Sequence, residues 1–256
     1  MFEPAAKLLS VSRDAKTVKG EKAGVLTGVL YLAPHTLSGY QVCPNATEGC
    51  MMACLYTAGQ GVYSSVQKAR LNRTRWFFEG RESFMAVLVA DIQRLVRKAA
   101  KEKMIPAVRL NGTSDIAWEK IAVTVGGVKY RSLMEAFPNI QFYEYTKILG
   151  RKTALALANY HLTFSLAESN DAFALKALEE GYNVAVVMRV KRKEAKPATW
   201  GGYPVVDGDE DDTRFRDPKG GHIVALTAKG RATKDTSGFV RSTAGGFTTA
   251  SLSKAA

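Results

Sequence analysis

The sequence predicts an α/β fold, a partial or irregular (β/α) barrel whose first strand runs into a cysteine loop. Three observations carry this. Apolar runs of strand length alternate with helical stretches along most of the 256 residues, the pattern of parallel βαβ units. Each apolar run ends in a polar tip, which gathers polar residues at one end of the strands. All three cysteines, Cys43, Cys50 and Cys54, sit in residues 43–56 (CPNATEGCMMACLY), directly after the first strand and its turn. Six or seven strands with fewer clear helices do not support a full eightfold barrel.

Residues 1–22 are polar and charged and are expected to form a mobile arm. Residues 23–229 form a single α/β domain that carries the cysteines. Residues 230–256, rich in Thr, Ser, Gly and Lys, read as a flexible tail. Within the domain, residues 23–33 (AGVLTGVLYLA) are β-rich and bounded by glycine and proline, a strand. Residues 34–39 turn into the cysteine loop. A helix is expected over 63–78, ended by Gly80. The clearest helix is 83–103, where Phe84, Val87, Leu88, Ile92, Leu95 and Val96 recur at spacings of three and four. Its basic last turn suits the helix dipole.

After Pro106 comes a short apolar run at 107–110, then NGTSD at 111–115. Strands are expected at 139–145, 161–166, 183–190, 203–206 and 222–226. Helices are expected at 151–160 and at 171–181, the latter with Gly181 just past its end.

The chain is long enough for a sizeable core, and its 46% apolar content is ordinary. Net charge is +12, from 36 basic and 24 acidic residues, so an anionic partner is expected. Nucleic acid is one candidate, an anionic small-molecule substrate another. Arg94, Arg97, Lys98, Lys101 and Lys103 recur at helical spacing and read as a solvated face. No aromatic-interleaved basic motif of a nucleic-acid module is present. No apolar run approaches the ~18 residues of a membrane helix, so no membrane partner is expected. The N-terminus lacks the apolar core and cleavage site of a signal peptide. Together with clustered free thiols, this predicts a reducing cytoplasm, that of the host cell if the protein is viral.

An odd cysteine count does not suit a disulfide framework. Structural zinc uses four ligands, commonly in tight pairs, whereas the spacings here are Cx6C and Cx3C. A Cys3His zinc site with His35 or His222 stays open, as does a plain structural or redox role. A cubane cluster suits wide, irregular spacing because each thiolate binds a different iron. Four thiolates would close it; three leave one iron for water, substrate or cofactor. Pro44, Asn45 and Gly49 are turn formers that can aim backbone N–H groups at sulfide. The expectation is therefore a [4Fe–4S] cluster on Cys43, Cys50 and Cys54.

The polar strand tips select Asn111, Thr113, Ser114, Asp115, Tyr145, Lys147, Ser165, Glu168, Asn170, Arg189 and Asp207 as pocket residues. An open iron can act as a Lewis acid, and a neighbouring acid or base would complete the chemistry. Asp115, Glu168 and Lys147 are the candidate catalytic residues. Asn111, Ser165, Asn170 and Arg189 are the candidate substrate-binding residues. No G-x-S-x-G elbow occurs, so an ordinary serine esterase is not expected. The acidic stretch from Gly208 to Asp212 reads as a solvated loop, with cation binding as the alternative.

A first strand, three cysteines in the next loop, then βα repeats resembles the radical S-adenosylmethionine superfamily. More closely, CPNATEGCMMACLYTAGQG, RLNGTSDIAWE and LTFSLAESND resemble a family of phage proteins named after a mycobacteriophage gene product, gene product 88. The likeness covers most of residues 25–229. It implies a viral protein of iron–sulfur type and no particular reaction. The radical family's usual spacing is Cx3Cx2C with an aromatic residue before the last cysteine; here Ala53 holds that place. No Gly-Gly-Glu run follows the second strand. S-adenosylmethionine is thus permitted by three thiolates but not indicated. The expected activities are a hydrolase such as an esterase, or a hydro-lyase. The alternatives are a radical enzyme and a non-catalytic nucleic-acid-binding protein with a structural or redox cluster.

Overall fold

The computed structural model describes residues 2–12, 15–191 and 194–248. The chain begins with β1 (Leu9–Val11), α1 (Ala15–Lys22) and β2 (Val25–Leu30). The cysteine loop follows, with the short helix α2 (Glu48–Met52), and then α3 (Ser64–Glu79) and α4 (Arg81–Glu102). Next are β3 (Ile105–Arg109), a hairpin of β4 (Val123–Val125) and β5 (Val128–Tyr130), α5 (Leu133–Ala136) and β6 (Gln141–Thr146). α6 (Lys152–Leu155), β7 (Tyr160–Ser165), α7 (Asp171–Glu179) and β8 (Asn183–Met188) continue the alternation. β9 (Thr199–Trp200), β10 (Tyr203–Asp207) and β11 (Ile223–Thr227) complete it.

Nine strands form one sheet in the order β1-β2-β3-β6-β7-β8-β11-β10-β9. Every pair from β2 to β10 is parallel; β1 and β9 pair antiparallel at the edges. The fold is therefore mixed α/β around a mostly parallel sheet. β1 and β9 are its two edges, and no ladder joins them among the described residues.

Alternate residues of a strand face opposite sides of the sheet. On one side Leu26, Leu30, Val108, Phe142, Leu162 and Phe164 pack with Trp76, Phe84, Leu88 and Ile92 of α3 and α4. The three-and-four spacing of α4 is thus the stripe that covers the sheet. On the other side Val25, Ala107 and Tyr143 meet Phe215 in a separate small core. This second face also carries polar groups. Residues 209–217 cross it, pairing Asp212 with Arg109 at 2.7 Å and setting Phe215 against Tyr143 at 5.6 Å between ring centroids. Arg216 then donates to the Ala23 carbonyl at 2.9 Å.

The described terminal segments make defined contacts, and residues 1, 13–14 and 249–256 of the expected arm and tail lie outside the described residues. Asp91, buried on α4, accepts the Leu8 and Leu9 N–H groups at 2.5 and 3.0 Å, and β1 adds a ladder to β2. Residues 2–12, expected in a mobile arm, are held by these bonds. In the segment expected as a tail, Ala232, Phe239 and Val240 are buried against Ala53 and Ala167. Arg241 donates to the Ala167 carbonyl and pairs with Asp171. The helix expected over 151–160 is one turn, because the chain bends at Leu157 to enter β7. No helix is long and apolar enough to cross a membrane, among the described residues.

His161 lies on the polar face of β7, its Nε2 3.4 Å from the Thr163 hydroxyl. Burial, and then the Arg214 charge, lower its pKa to about 4. An unfolded histidine titrates near 6.5, so on acidification the unfolded chain binds a proton before the folded one does. Stability from this residue is complete above about pH 6.5 and falls towards about pH 4. We expect His161→Gln to remove up to about 3 kcal/mol of that acid-side loss. Urea midpoints measured across this range should then show a flatter slope; an unchanged slope would assign the acid sensitivity to other groups.

Candidate functional site

The cysteine loop has little regular structure, and strand ends hold it from below. The Asp115 N–H donates to the Val42 carbonyl at 2.7 Å. Asn45 Nδ2 donates to the Lys147 carbonyl, beyond β6, at 2.9 Å. Beyond β7, Glu168 accepts from the Gly49 N–H and from the Thr47 hydroxyl, both at 2.7 Å. Thr47 is also the N-cap of α2, accepting the Cys50 N–H at 3.3 Å. Gly49 is needed here: a Cβ would lie 2.8 Å from the Glu168 carboxylate and 2.2 Å from Ser237 Oγ.

All three thiols interact electrostatically with one another. Cys43 Sγ accepts the His35 N–H at 3.4 Å and its thiol faces the Thr113 carbonyl at 3.8 Å. Cys54 Sγ accepts the Tyr56 N–H at 3.5 Å. Burial pushes the Cys43 thiol up to about 12 and raises that of Cys54, and the neighbouring thiols reinforce both shifts. Among the described residues, no group of three or more His, Cys, Asp or Glu is drawn together as a site for a single ion. His222, considered as a zinc ligand, caps the start of β11 with its ring on the Gly220 carbonyl at 2.6 Å, whereas the cysteines face the strand's other end.

Cys50 and Cys54 open onto a cavity of about 220 Å³. Its other walls include Arg109 at the end of β3, Thr113, Tyr145 of β6, Ser165 of β7 and Thr227 of β11, with Asp209 and Lys229. The cavity therefore lies where the parallel strands end, as sheets of this kind place their sites. A larger hollow of about 630 Å³ lies on the other side of α2, between Glu48, Met52 and Glu168 and residues 231–237.

The sequence-selected residues divide into two groups. Lys147 and Ser165 come together at the thiols: Lys147 Nζ lies 3.3 Å from Ser165 Oγ and hydrogen-bonds Cys50. Burial opposes the Lys147 charge, but Cys50, Asp115 and Cys43 outweigh it and raise the pKa. Asp115 fixes this lysine, accepting its backbone N–H and the Thr146 hydroxyl, each at 2.8 Å. Burial nonetheless raises the Asp115 pKa.

The second group is occupied by the fold. Asn111 Oδ1 accepts from Ser114, Ile116 and the Trp118 indole, and its Nδ2 donates to the Ile116 carbonyl. Asn170 spans its own loop, accepting from Ala167 N–H and donating to the Ser165 carbonyl. Arg189 donates to the Asp235 carbonyl at 2.6 Å and anchors the C-terminal segment. Asp207 pairs with Lys196.

Four residues of the site were not selected from sequence. Arg109 stacks 4.8 Å from the Tyr145 ring while paired to Asp212. Lys229 pairs with Asp209 at 2.8 Å. Arg70 lies between Tyr31 and Tyr56 beside Cys54. Asp209 also accepts the Thr227 N–H at 2.7 Å.

Because Glu168 bonds both ends of the first turn of α2, its removal should loosen the turn that carries Cys50. We expect Glu168→Ala to cost about 1–3 kcal/mol and to raise the labelling rate of Cys50 by a maleimide several-fold. Labelling at the wild-type rate would show that the loop holds its shape without this carboxylate.

No curated protein and no solved structure matches the chain. A family match extends over residues 7–243, from before β1 to beyond the segment that closes the cavity. On that match the chain belongs to the gene product 88 family.

Proposed function

We propose that this protein is an iron–sulfur enzyme in which Cys43, Cys50 and Cys54 hold a [4Fe–4S] cluster and leave one iron to the cavity. The observation that carries the reading is that three thiols lie near enough to feel one another's charge, two of them lining a cavity at the strand ends. The residues present suit such a group. Backbone N–H groups already point at two of the sulfurs, as they do around metal-bound thiolates. The Lys147 ammonium and the Arg70 guanidinium face the thiols and would offset thiolate charge. A cluster spreads its ligands over several irons, so it does not need the compact ligand set of a single ion.

Bound there, the cluster would supply a Lewis-acidic iron with a free position. The chain's own groups would do the rest. Arg109 and Lys229 would hold an anionic small molecule such as a hydroxy acid or an ester of one. Lys147, fixed by Asp115 and touching Ser165 Oγ, is the group placed to give a proton to a leaving oxygen. Glu168 would act on the loop rather than on substrate, since both its oxygens are engaged. This is a hydrolase or hydro-lyase reading.

A second reading has its own support. The order β2-β3-β6-β7-β8-β11 is sequential and parallel, and residues 209–216 reach from beyond β10 to β3 and to the end of α1. Both features suit a partial (β/α) barrel with a cysteine loop after its first parallel strand, the arrangement of radical S-adenosylmethionine enzymes.

Anaerobic purification with iron and sulfide analysis tests the common claim, and paramagnetic resonance with and without S-adenosylmethionine separates the two readings. We expect about four irons per chain, lost in Cys50→Ser, and a reduced signal that does not change with S-adenosylmethionine. A signal that shifts would move the assignment to radical chemistry. Zinc, or no metal at all, would remove both readings.

A further inference from the structure

Among the described residues, no carboxylate pairs with the buried cation Arg70. It sits on α3 and is 6% exposed. Its guanidinium carbon lies 4.7 Å from the centre of the Tyr31 ring and 5.6 Å from that of Tyr56. Nε and Nη1 are shut off from solvent and donate no hydrogen bond. The groups that face it are Tyr31, Cys54 and Tyr56, with no carboxylate among them. The Tyr56 N–H donates to Cys54 Sγ, so the arginine, the ring and the thiol belong to one site.

A guanidinium stays charged even when buried, and a buried charge without a partner is strongly destabilising. Aromatic faces offset only part of that cost. With protonated thiols, this corner of the protein holds a positive charge and nothing to balance it. With three thiolates around an oxidised cubane core the balance reverses, because the thiolates outnumber the core's positive charge. Lys147 differs from Arg70 in this respect, since it has Asp115 and Ser165 for partners.

We propose that Arg70 is the counter-charge of the group held by the three cysteines and that it sets that group's reduction potential, an inference that rests on the cluster reading. Charge and hydrogen bonding at the sulfurs are the levers a protein has on such a potential. Arg70 is a positioning and tuning residue, not one that touches the reacting atoms.

Wild type, Arg70→Met and Arg70→Lys would be reconstituted anaerobically and titrated potentiometrically by paramagnetic resonance. Their cluster-free forms would be melted in parallel. Arg70→Met should shift the midpoint to a more negative potential, whereas Arg70→Lys should stay near wild type. In the cluster-free form the sign reverses: Arg70→Met should melt above wild type, because the orphaned charge is gone. If Arg70→Met fails to take up iron, loading retained in Arg70→Lys still supports a charge role, and loss in both overturns it. An unmoved potential at full loading, or a cluster-free Arg70→Met that melts below wild type, also overturns the proposal. Wild-type protein that takes up no iron and sulfide removes the cluster reading itself, and the proposal with it; iron uptake with an unmoved potential removes the proposal alone.

Discussion

A single carboxylate, Glu168, ties the cysteine loop to the sheet. Its two oxygens take the Thr47 hydroxyl and the Gly49 N–H, and Thr47 in turn caps the turn that carries Cys50. A loop with one short helix and two 3₁₀ turns cannot fix three thiols by its own backbone bonds. Its shape comes from groups at the ends of β3, β6 and β7, each offering one or two hydrogen bonds. The thiols therefore inherit their spacing from the sheet, whose parallel ladders set where those ends lie.

The cavity beneath the loop has a similar origin. The β3–β6 ladder runs only through Ala107↔Gln141 and Val108↔Phe142. Beyond it the Leu110 and Asn111 N–H groups would lack partners, a costly state when buried. The Glu144 side chain takes both, at 2.7 and 2.8 Å. Burial pushes this carboxyl up to about 8, while Arg109, the two N–H groups and Arg151 oppose the rise. A side chain thus replaces the backbone ladder just where Arg109 and Tyr145 turn their faces to the cavity.

Features governed by local pattern were legible in the sequence. The stripe of α4, the parallel strands and the placing of the cysteine loop after the first of them all follow from periodicity and turn residues. The β4–β5 hairpin was missed, because its strands are short and its apolar signal weak, although Gly126-Gly127 between Val125 and Val128 supplies the two positive φ angles of a tight turn. Features that depend on distant partners were not legible. Glu168 and Gly49 are 119 residues apart. Asn111 was selected for its place at a polar strand tip, and its side chain instead closes its own loop. Residues 230–241 carry a tail-like composition, yet the few apolar residues among them, Ala232, Phe239 and Val240, are the ones buried. Arg70 gave no signal of its own, because nothing local in the sequence shows that Tyr31, 39 residues earlier, covers it.

These placements change which groups can do chemistry. Carboxylates were the natural choice of acid and base at strand tips, but the structure engages both Glu168 and Asp115 in holding the loop and Lys147. The cavity wall itself carries Arg109 and Lys229, each already paired, with Asp212 and Asp209 respectively, and the hydroxyl residues Ser165 and Thr113. An anionic ligand, as proposed above, would have to exchange with those carboxylates at the two cations. Thiolates at the mouth would repel that ligand unless their charge is neutralised. Lys147 beside Cys50 and Arg70 beside Cys54 sit where that neutralisation is required. On the proposed cluster reading, Lys147 and Arg70 would balance the thiolate-bound group, whereas Arg109 and Lys229 lie on the cavity wall, where they would meet a ligand.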